Sequence, residues 1–281
     1  MQKNKPFVSV LMTAYNAENY IGLAIQSILD QTYKNFEFII IEDCSKDRTW
    51  EIIKDCASID KRIIAIRNEK NLNAGRSSNK GLKLCKGKYI VRMDADDWSY
   101  PDRIEKQVQY MENNPNVCVS GGAMVICDED LQPKGIRHYA TEDKEIRSRM
   151  LRLNQIPHPA SIWRKETLKK TKLYPTNLGM SEDYALTLEI SQYGLLGNID
   201  NTLIKFRVHI NSISNSKMAL QQKATLLISD KAIREYGYKE TTRDKVWKLL
   251  QRITMHTVSP KLKRWLLNKA VLDKDIPNNT I

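Results

Sequence analysis

The sequence predicts an α/β protein built on a doubly wound, mostly parallel sheet. Four short apolar runs, rich in β-branched residues, alternate in the first part of the chain with segments whose apolar residues recur at helical spacing. Each of these apolar runs ends in a polar loop. Strands joined through helices run parallel with right-handed crossovers, so this alternation indicates a sheet with helices packed on its faces.

The four predicted strands place polar loops at a common edge. The strands cover residues 7–12, 36–41, 63–66 and 89–93, and the helices between them cover about 20–31, 48–57 and 76–85. Because ligands bind beyond the carboxyl ends of parallel strands, the loops Thr13–Asn16, Asp43–Asp47 and Asp94–Asp97 mark the expected site. The chain has neither the glycine pattern of dinucleotide-binding folds nor that of a P-loop.

The second half of the chain contains less regular elements. Predicted helices cover about 102–113, 144–153, 165–171 and 182–193, and predicted strands cover 117–126 and 199–208. Gly121-Gly122 should break the first of these strands, and residues 128–145 should form a polar loop. Pro157 and Pro159 favour an extended backbone through residues 156–163.

Composition places the chain among soluble globular proteins. Hydrophobic residues make up 41% and charged residues 28% of the 281 positions, enough for one large domain or two modest ones. There is no run of 18 apolar residues, so no transmembrane helix is predicted, and no signal peptide is expected. The five cysteines form an odd set without a CxxC pair, which favours reduced thiols in the cytosol and argues against a zinc site.

The net charge of +12 is concentrated towards the carboxyl terminus. Residues 216–281 hold 14 Lys/Arg and 6 Asp/Glu, a balance of +8. Their pattern is helical, with apolar and basic faces: Val246, Leu249, Leu250 and Ile253 against Lys245, Lys248 and Arg252, and later Leu262, Trp265 and Leu266. Such helices often lie in a membrane interface; the alternative is a helical cap with a charged outer face.

Three carboxylates lie close together after the fourth strand, at Asp94, Asp96 and Asp97. Carboxylates at this spacing repel one another unless a positive group lies among them. Mg²⁺ and Mn²⁺ take oxygen ligands of this kind, one or two from the protein and the rest from water and phosphate. The two interpretations are therefore a metal site and a solvated acidic turn.

Four stretches in this order resemble glycosyltransferase family 2. They are residues 8–16, 41–49, 87–97 and 101–103, which read VSVLMTAYN, IEDCSKDRT, GKYIVRMDADD and PDR. Two later stretches are also similar to signatures of that family: SEDY at 181–184 and FRVHINSIS at 206–214. The resemblance covers roughly residues 6–215 and implies the GT-A fold and inverting chemistry. Asn73 and Ser78 depart from it, because that family often has Gly and Arg there.

The resemblance implies a donor site for a UDP-sugar at the sheet edge. Asp43 is similar to the residue of that family that accepts the uracil N–H, Tyr15 can stack on the base, and Thr13 and Ala14 supply backbone groups. Further donor contacts are expected from Asn16, Arg76, Asp94, Ala95 and Asp96. Arg76 is a basic residue near Ser78, the position at which that family often has a phosphate-contacting arginine.

Loss of a nucleoside diphosphate builds negative charge, which a divalent metal offsets. The expected cofactor is Mn²⁺ or Mg²⁺. The resemblance implies that Asp96 and Asp97 contact metal and ribose and that His209 completes the metal shell, where neutral imidazole suits Mn²⁺ better than Mg²⁺.

The attacking hydroxyl is a weak acid, so a positioned carboxylate must take its proton. Asp183 is the candidate, because the first turn of its predicted helix favours the ionised form. Glu182 would bind acceptor or orient this base, and His158 would line the acceptor cleft.

These implications define an expected organisation. A GT-A domain covers residues 1–215, with a nucleotide-sugar-binding half at 1–100 and an acceptor-binding half at 101–215, and a basic helical extension covers 216–281. The expected reaction is metal-dependent, inverting transfer of a hexose to a glycan or lipid-linked acceptor in cell-surface polysaccharide biosynthesis. We expect the chain in the cytoplasm, peripheral at the inner face of the membrane, where its extension meets anionic lipid.

Two other functions are compatible with parts of the sequence. A sugar nucleotidyltransferase also pairs an α/β sheet with metal-binding carboxylates, but needs a glycine-rich triphosphate loop, and Thr13–Asn16 is not one. A basic nucleic-acid-binding protein is permitted by net charge alone. The acidic groups at the predicted binding edge argue against it, because phosphate would be repelled there without metal.

Overall fold

The strands form one mixed sheet whose first half is parallel, as the sequence predicts. The computed structural model describes residues 5–209 and 218–257. Within these residues the strands are β1 (Val8–Ala14), β2 (Phe36–Glu42), β3 (Ile63–Arg67), β4 (Tyr89–Asp94), β5 (Trp98–Ser99), β6 (Val117–Cys127), β7 (Pro133–Arg137), β8 (Ile162–Arg164) and β9 (Leu195–Arg207). Their order across the sheet is β3-β2-β1-β4-β8-β6-β9-β5, with β7 paired to β6.

Helices cover both faces of this sheet. They are α1 (Ile21–Leu29), α2 (Thr49–Ile59), α3 (Ala74–Leu84), α4 (Arg103–Asn113), α5 (Asp143–Met150), α6 (Lys165–Leu168), α7 (Glu182–Ile190), α8 (Met218–Glu235) and α9 (Thr242–Thr257). In the described residues no helix is both long and apolar enough to cross a bilayer. The predicted motif residues 210–214 and the apolar residues Leu262, Trp265 and Leu266 lie outside the described part of the chain.

The parallel pairing brings the predicted loops to one edge. Strands β1, β2, β3 and β4 are mutually parallel, while β8 joins β4 in the antiparallel sense and begins the second half of the sheet. The register places Thr13 opposite Asp94 on β4 and Ala14 opposite Glu42 on β2. The carboxyl ends of these three strands therefore lie side by side, which positions the candidate site.

Alternate residues of the central strands pack into separate cores. Val10 and Met12 lie in the core that contains Ile25 of α1 and Ile104 of α4. Leu11 lies in the core on the other face, together with residues of α3, α5, α7 and α8. Helix α8 joins that core through Ala224, Ile228 and Ala232, so it is part of the packed protein and not an arm.

The predicted break at Gly121-Gly122 is wrong, because β6 runs through both residues. A Cβ on Gly121 would lie 2.6 Å from Pro157 Cδ, and one on Gly122 would lie 2.6 Å from Leu203 Cδ1. These glycines allow close approach of neighbouring segments, and β6 stays paired with β9 although the register shifts between Gly122 and Met124.

Two further predictions for the second half need correction. Residues 128–145 are not all loop, because they include β7 and the start of α5. His158–Ala160 form a turn of 3₁₀ helix instead of extended chain. The fixed φ of Pro159 suits the start of such a turn, and Ser161 N–H closes it on the His158 carbonyl at 3.1 Å.

Helix α9 exposes most of its predicted apolar face together with Lys245 and Arg252, and it buries Lys248. Lys248 is only 3% exposed, and its Nζ lies 2.8 Å from both Asp230 and Glu240. The apolar residues Val246, Leu249 and Ile253 are instead 43%, 56% and 55% exposed. Ion pairs therefore hold the inner face of this helix, and an apolar stripe faces outward.

Candidate active site

The loops after β1 and β2 are tied to each other by backbone contacts. Asn16 N–H donates to Ser45 Oγ at 2.9 Å, and Lys46 N–H donates to Asn16 Oδ1 at 3.0 Å. Asp43 N–H also donates to the Ala14 carbonyl at 2.9 Å. Asn16 adopts a φ of 48°, which an asparagine tolerates better than most residues. The two loops thus form one rigid rim, with Tyr15 46% exposed on it.

Asp43 is fixed in this rim by three donors. Its Oδ1 accepts hydrogen bonds of 2.8 Å from Asn68 Nδ2, Leu72 N–H and Ser77 Oγ. The side chain is buried, so its direction is set by these contacts. A buried acceptor held in one orientation is suited to reading an N–H of a planar base.

The carboxylates at the end of β4 lie above two buried arginines. Arg92 is 2% exposed and points its Nη2 to Asp94 Oδ1 at 3.5 Å, while Nη1 donates to the Leu11 carbonyl at 3.2 Å. Arg103 is fully buried and donates to the carbonyls of Arg92 and Pro159 at 2.6 and 2.9 Å. These two cations supply positive charge beneath the acidic turn.

Burial and mutual repulsion still raise the proton affinity of this cluster. Burial raises the pKa of Asp94 to about 6, with Arg92 opposing the shift and Asp96 and Asp183 adding to it. Burial, followed by the charges of Asp96 and Asp94, holds the pKa of Asp97 well above its usual range. The two arginines therefore do not neutralise the cluster, and additional positive charge would bind it favourably.

The end of β9 holds the acidic turn in place. Arg207 N–H donates to Asp97 Oδ1 at 2.9 Å, and Arg207 Nε donates to the Asp96 carbonyl at 2.7 Å. His209 Nε2 lies 3.0 Å from Asp96 Oδ2. The ring of Tyr20 packs against both residues, 4.6 Å from the Arg207 guanidinium and 4.9 Å from the His209 ring. The structure thus places His209 beside Asp96.

The donor set fits a hard divalent cation bound together with a diphosphate. Asp97 Oδ2 is buried, and no hydrogen-bond donor reaches it in the described residues. An ionised oxygen in that position needs a cation. Among residues 5–209 and 218–257, no three His, Cys, Asp or Glu side chains are arranged to hold a metal by themselves. One or two carboxylates with substrate phosphates are the usual shell for Mg²⁺ at such sites.

Asp183 lies in the first turn of α7, close to this cluster. Its charge raises the pKa of Asp94, which places the two carboxylates within electrostatic reach. Ser181 lies just before the helix with a φ of 61°, and although a serine there is a natural N-cap by sequence, its side chain makes no cap hydrogen bond. Asn154 Nδ2 donates a long hydrogen bond of 3.4 Å to Asp183 Oδ2.

Burial raises the pKa of Asp183 above its usual range, while the Tyr184 backbone N–H and Asn154 oppose the shift. A raised pKa makes a carboxylate a stronger base. The arrangement can therefore remove a proton from a hydroxyl placed between Asp183 and the β4 cluster.

Glu182 and His158 line the neighbouring wall. Glu182 Cγ lies 3.4 Å from the position of a Cβ on Gly75, which packs α7 against the start of α3. His158 Nε2 lies 2.8 Å from the Tyr174 hydroxyl, and burial followed by Arg92 lowers the pKa of His158 well below its usual range. His158 is therefore neutral and available for hydrogen bonding rather than for charge.

One departure from the pattern of the resemblance, at Asn73, has a structural counterpart. Asn73 adopts a φ of 70° immediately before α3, a conformation that glycine adopts freely and asparagine tolerates. Asn79 anchors Tyr174 through bonds to its N–H and carbonyl at 3.0 and 2.8 Å. Arg76 is exposed in the first turn of α3, and Ser78 is buried.

Sequence reasoning missed Arg92, Arg103 and Asn154 as site residues. For Arg92 a signal exists, because it is a charge inside an otherwise apolar central strand. Arg103 begins a helix, where a basic residue is unremarkable without the fold. Asn154 lies 29 residues before Asp183, and only the tertiary structure brings the two together.

Comparison with known sequences gives a consistent match. Residues 9–182 match the sequence family described as glycosyl transferase family 2. An uncharacterised glycosyltransferase of Haemophilus influenzae is 38% identical over 76% of this chain and 69% of its own length. The putative teichuronic acid biosynthesis glycosyltransferase TuaG of Bacillus subtilis is 30% identical over 78% of this chain and 86% of its own length.

Solved structures share the architecture at lower identity. S. aureus TarS 1–349 in complex with UDP-GlcNAc has a TM-score of 0.66 at 17% identity, covering 94% of this chain and 81% of that one. The chain spans about half, 49%, of a longer TarS structure. The mannosyltransferase PcManGT of Pyrobaculum calidifontis, in complex with GDP-Man and Mn²⁺, has a TM-score of 0.66 at 15% identity, covering 96% and 74%. These likenesses confirm the predicted GT-A fold.

Proposed function

This chain belongs to glycosyltransferase family 2 and is a glycosyltransferase, and we propose that it moves a hexose from a UDP-sugar to a hydroxyl of a glycan or lipid-linked acceptor. The observation that carries the proposal is the convergence of Asp43, the β4 carboxylates and Asp183 at one sheet edge. Family membership favours sugar transfer over nucleotidyl transfer and nucleic-acid binding.

The rim formed by the β1 and β2 loops is the proposed nucleoside site. Asp43, held by three donors, accepts the uracil N–H, and the exposed ring of Tyr15 stacks on the base. Thr13, Ala14 and Asn16 border the same rim, and the exposed guanidinium of Arg76 extends towards phosphate. TarS, a structural neighbour, was solved with UDP-GlcNAc, which supports a uridine donor in this fold.

The β4 turn is the proposed diphosphate and metal site. Asp96, Asp97 and His209 would contribute ligands to Mn²⁺ or Mg²⁺ only together with the donor diphosphate, with Asp94 and Ala95 beside the donor sugar and ribose. The metal supplies positive charge that stabilises the departing diphosphate. PcManGT, another neighbour, carries Mn²⁺, which supports a divalent ion in this fold.

Transfer then needs one proton acceptor on the side of the donor sugar opposite the diphosphate. Asp183 takes the proton of the acceptor hydroxyl as its oxygen bonds to the anomeric carbon, and the bond from that carbon to the diphosphate oxygen breaks. The electron pair leaves with UDP, and attack opposite the leaving group inverts the anomeric carbon. In this proposal Asn154 orients the Asp183 carboxylate through its hydrogen bond, and Glu182 and His158 bind hydroxyl groups of the acceptor.

We also propose that the extension from residue 216 holds the enzyme against anionic lipid at the inner face of the cell membrane. The outward apolar stripe of α9, with Arg243, Lys245 and Arg252 exposed around it, has the composition of an interfacial helix. TuaG, a relative, is named as a putative glycosyltransferase of teichuronic acid biosynthesis, which supports a polysaccharide as the product class. Leu249→Glu should weaken sedimentation with anionic vesicles, whereas Leu23→Glu, equally exposed on α1, should not; equal loss would refute this role.

The donor assignment can be tested directly. Thermal unfolding is measured with UDP-, GDP- and dTDP-sugars, each with and without Mn²⁺. We expect metal-dependent stabilisation by a UDP-sugar that is lost in Asp43→Asn. Stabilisation by GDP-sugars alone, or none that depends on metal, would contradict the proposed donor and cofactor.

A further inference from the structure

An apolar groove of about 290 Å³ lies between the segment before α7 and the outer face of α8. Leu173 and Leu178 line it from the first side, Ala185 from α7, and Leu227 and Ile228 from α8. Ile228 is 4% exposed and forms the floor, whereas Leu227 is 55% exposed at the mouth. An apolar wall of this kind in contact with water favours an apolar ligand.

The rim of the groove is basic. Among its lining residues, Lys172, Lys231 and Arg234 are cationic and Glu189 is the one acid. Glu189 Oε1 already accepts the Lys172 backbone N–H at 2.9 Å. An apolar cleft with a surplus of positive charge at its mouth is complementary to an amphiphile with an anionic head.

The groove shares a wall with the catalytic cleft. Leu173 and Pro175 line the groove, while Tyr174 between them is buried on the other side and contacts His158. Ala185 lines the groove from α7, half a turn beyond Asp183. The segment 173–175 therefore connects the groove to His158, a proposed acceptor contact.

We propose that this groove binds the hydrocarbon chain of a lipid phosphate that carries the acceptor sugar, with the phosphate on the basic rim. The identification of this lipid as the acceptor carrier rests on the proposed function; the binding site itself does not. A second copy of this chain is a poorer occupant, because its net charge of +12 would meet a basic rim.

The test measures binding of farnesyl phosphate to the full chain by titration calorimetry, with farnesol and inorganic phosphate as partial probes. Farnesyl phosphate should bind more tightly than either. Leu227→Glu should weaken it about tenfold or more, because the chain would meet a charge. Leu220→Glu is the matched control: it is 47% exposed on the same helix, two turns earlier, and does not line the groove. Lys231→Gln with Arg234→Gln should weaken farnesyl phosphate several-fold and leave farnesol unchanged.

Three results would overturn the proposal. The first is equal weakening by Leu227→Glu and Leu220→Glu, and the second is equal affinity for farnesyl phosphate and farnesol. The third is a change of oligomeric state in Leu227→Glu, which would assign the groove to a second copy. UDP binding with Mn²⁺ is measured in the same variants and should stay within about twofold. Its absence in the unaltered chain would count against the proposed function and not against the groove.

Discussion

Replacing Arg92 by Met removes the buried cation beneath the candidate site while keeping a long unbranched side chain. Its Nη2 lies 3.5 Å from Asp94 Oδ1, and Coulomb attraction at that distance is about 5 kcal/mol at an effective dielectric constant of about 20. The Asp94 side chain is 35% exposed, so solvent screens part of this attraction. Breaking a buried pair typically costs about 3–5 kcal/mol, and we expect the lower end here.

The free energy of unfolding should therefore fall by about 3 kcal/mol in Arg92→Met, with Tm lower by about 6–12 °C. Chemical denaturation and calorimetry measure both quantities. Lys106→Met is the matched control, because Lys106 pairs with Asp102 at 2.6 Å but both side chains are well exposed. Despite the shorter distance, its cost should stay below about 1 kcal/mol. A loss in Arg92→Met no larger than in Lys106→Met would refute the claim that burial, not distance, decides this pair.

Three further predictions concern the carboxylates and the sheet. Asp97→Asn should leave the metal-free protein at least as stable, because burial raises the pKa of Asp97 and disfavours its charge, yet it should abolish Mn²⁺-dependent stabilisation by UDP; thermal unfolding with and without both ligands measures this, and retained stabilisation would contradict it. Because burial raises the pKa of Asp183 and the base must be ionised, kcat should fall as pH drops through that raised pKa. Arg92 lowers the pKa of Asp183, so Arg92→Met should move this fall in kcat to higher pH. A fall in kcat centred on an ordinary carboxyl pKa would contradict the assignment. Gly121→Ala should cost about 1–3 kcal/mol of stability, since its Cβ would lie 2.6 Å from Pro157 Cδ and 2.8 Å from Asn198 Oδ1; an unchanged denaturation midpoint would show that the neighbours shift freely.

The first four strands could be predicted because each contains a short run of apolar residues; those of β1, β2 and β4 are almost wholly buried, whereas in the edge strand β3 only Ile63 is buried. Strand β5 has two residues and β7 is largely exposed, so neither carries a hydrophobic pattern. A pair of glycines in sequence usually indicates a break in a strand. In β6 the pair is explained instead by the close approach of Pro157 to Gly121 and of Leu203 to Gly122. The local sequence pattern therefore predicts strands that contain an apolar run, whereas the other strands depend on tertiary packing.

The candidate site divides in the same way. The spacing of Asp94, Asp96 and Asp97 marks them as candidates, because carboxylates so close together need a counter-charge, but it leaves a solvated acidic turn open. The ordered stretches that resemble glycosyltransferase family 2 favour the metal site. The counter-charges within the protein come from Arg92 and Arg103 beneath the turn. No fixed spacing in the sequence relates these arginines to the three carboxylates. In α9, periodicity grouped Lys248 with Lys245 and Arg252, but ion pairs to Asp230 and Glu240 bury Lys248 while Lys245 and Arg252 stay exposed.

The most direct test of sugar transfer at this site is the Asp183→Asn enzyme, with Asp55→Asn on an exposed part of α2 as the matched control. UDP release is measured with Mn²⁺, the UDP-sugar that stabilises the chain most, and lipid-extracted acceptor, and UDP affinity is measured separately. Removing a general base costs about 10²–10⁴-fold in rate. We expect a loss of that size in Asp183→Asn with UDP affinity unchanged, and near-normal turnover in Asp55→Asn. Near-normal turnover in Asp183→Asn would contradict the assignment of the base and the reaction geometry built on it.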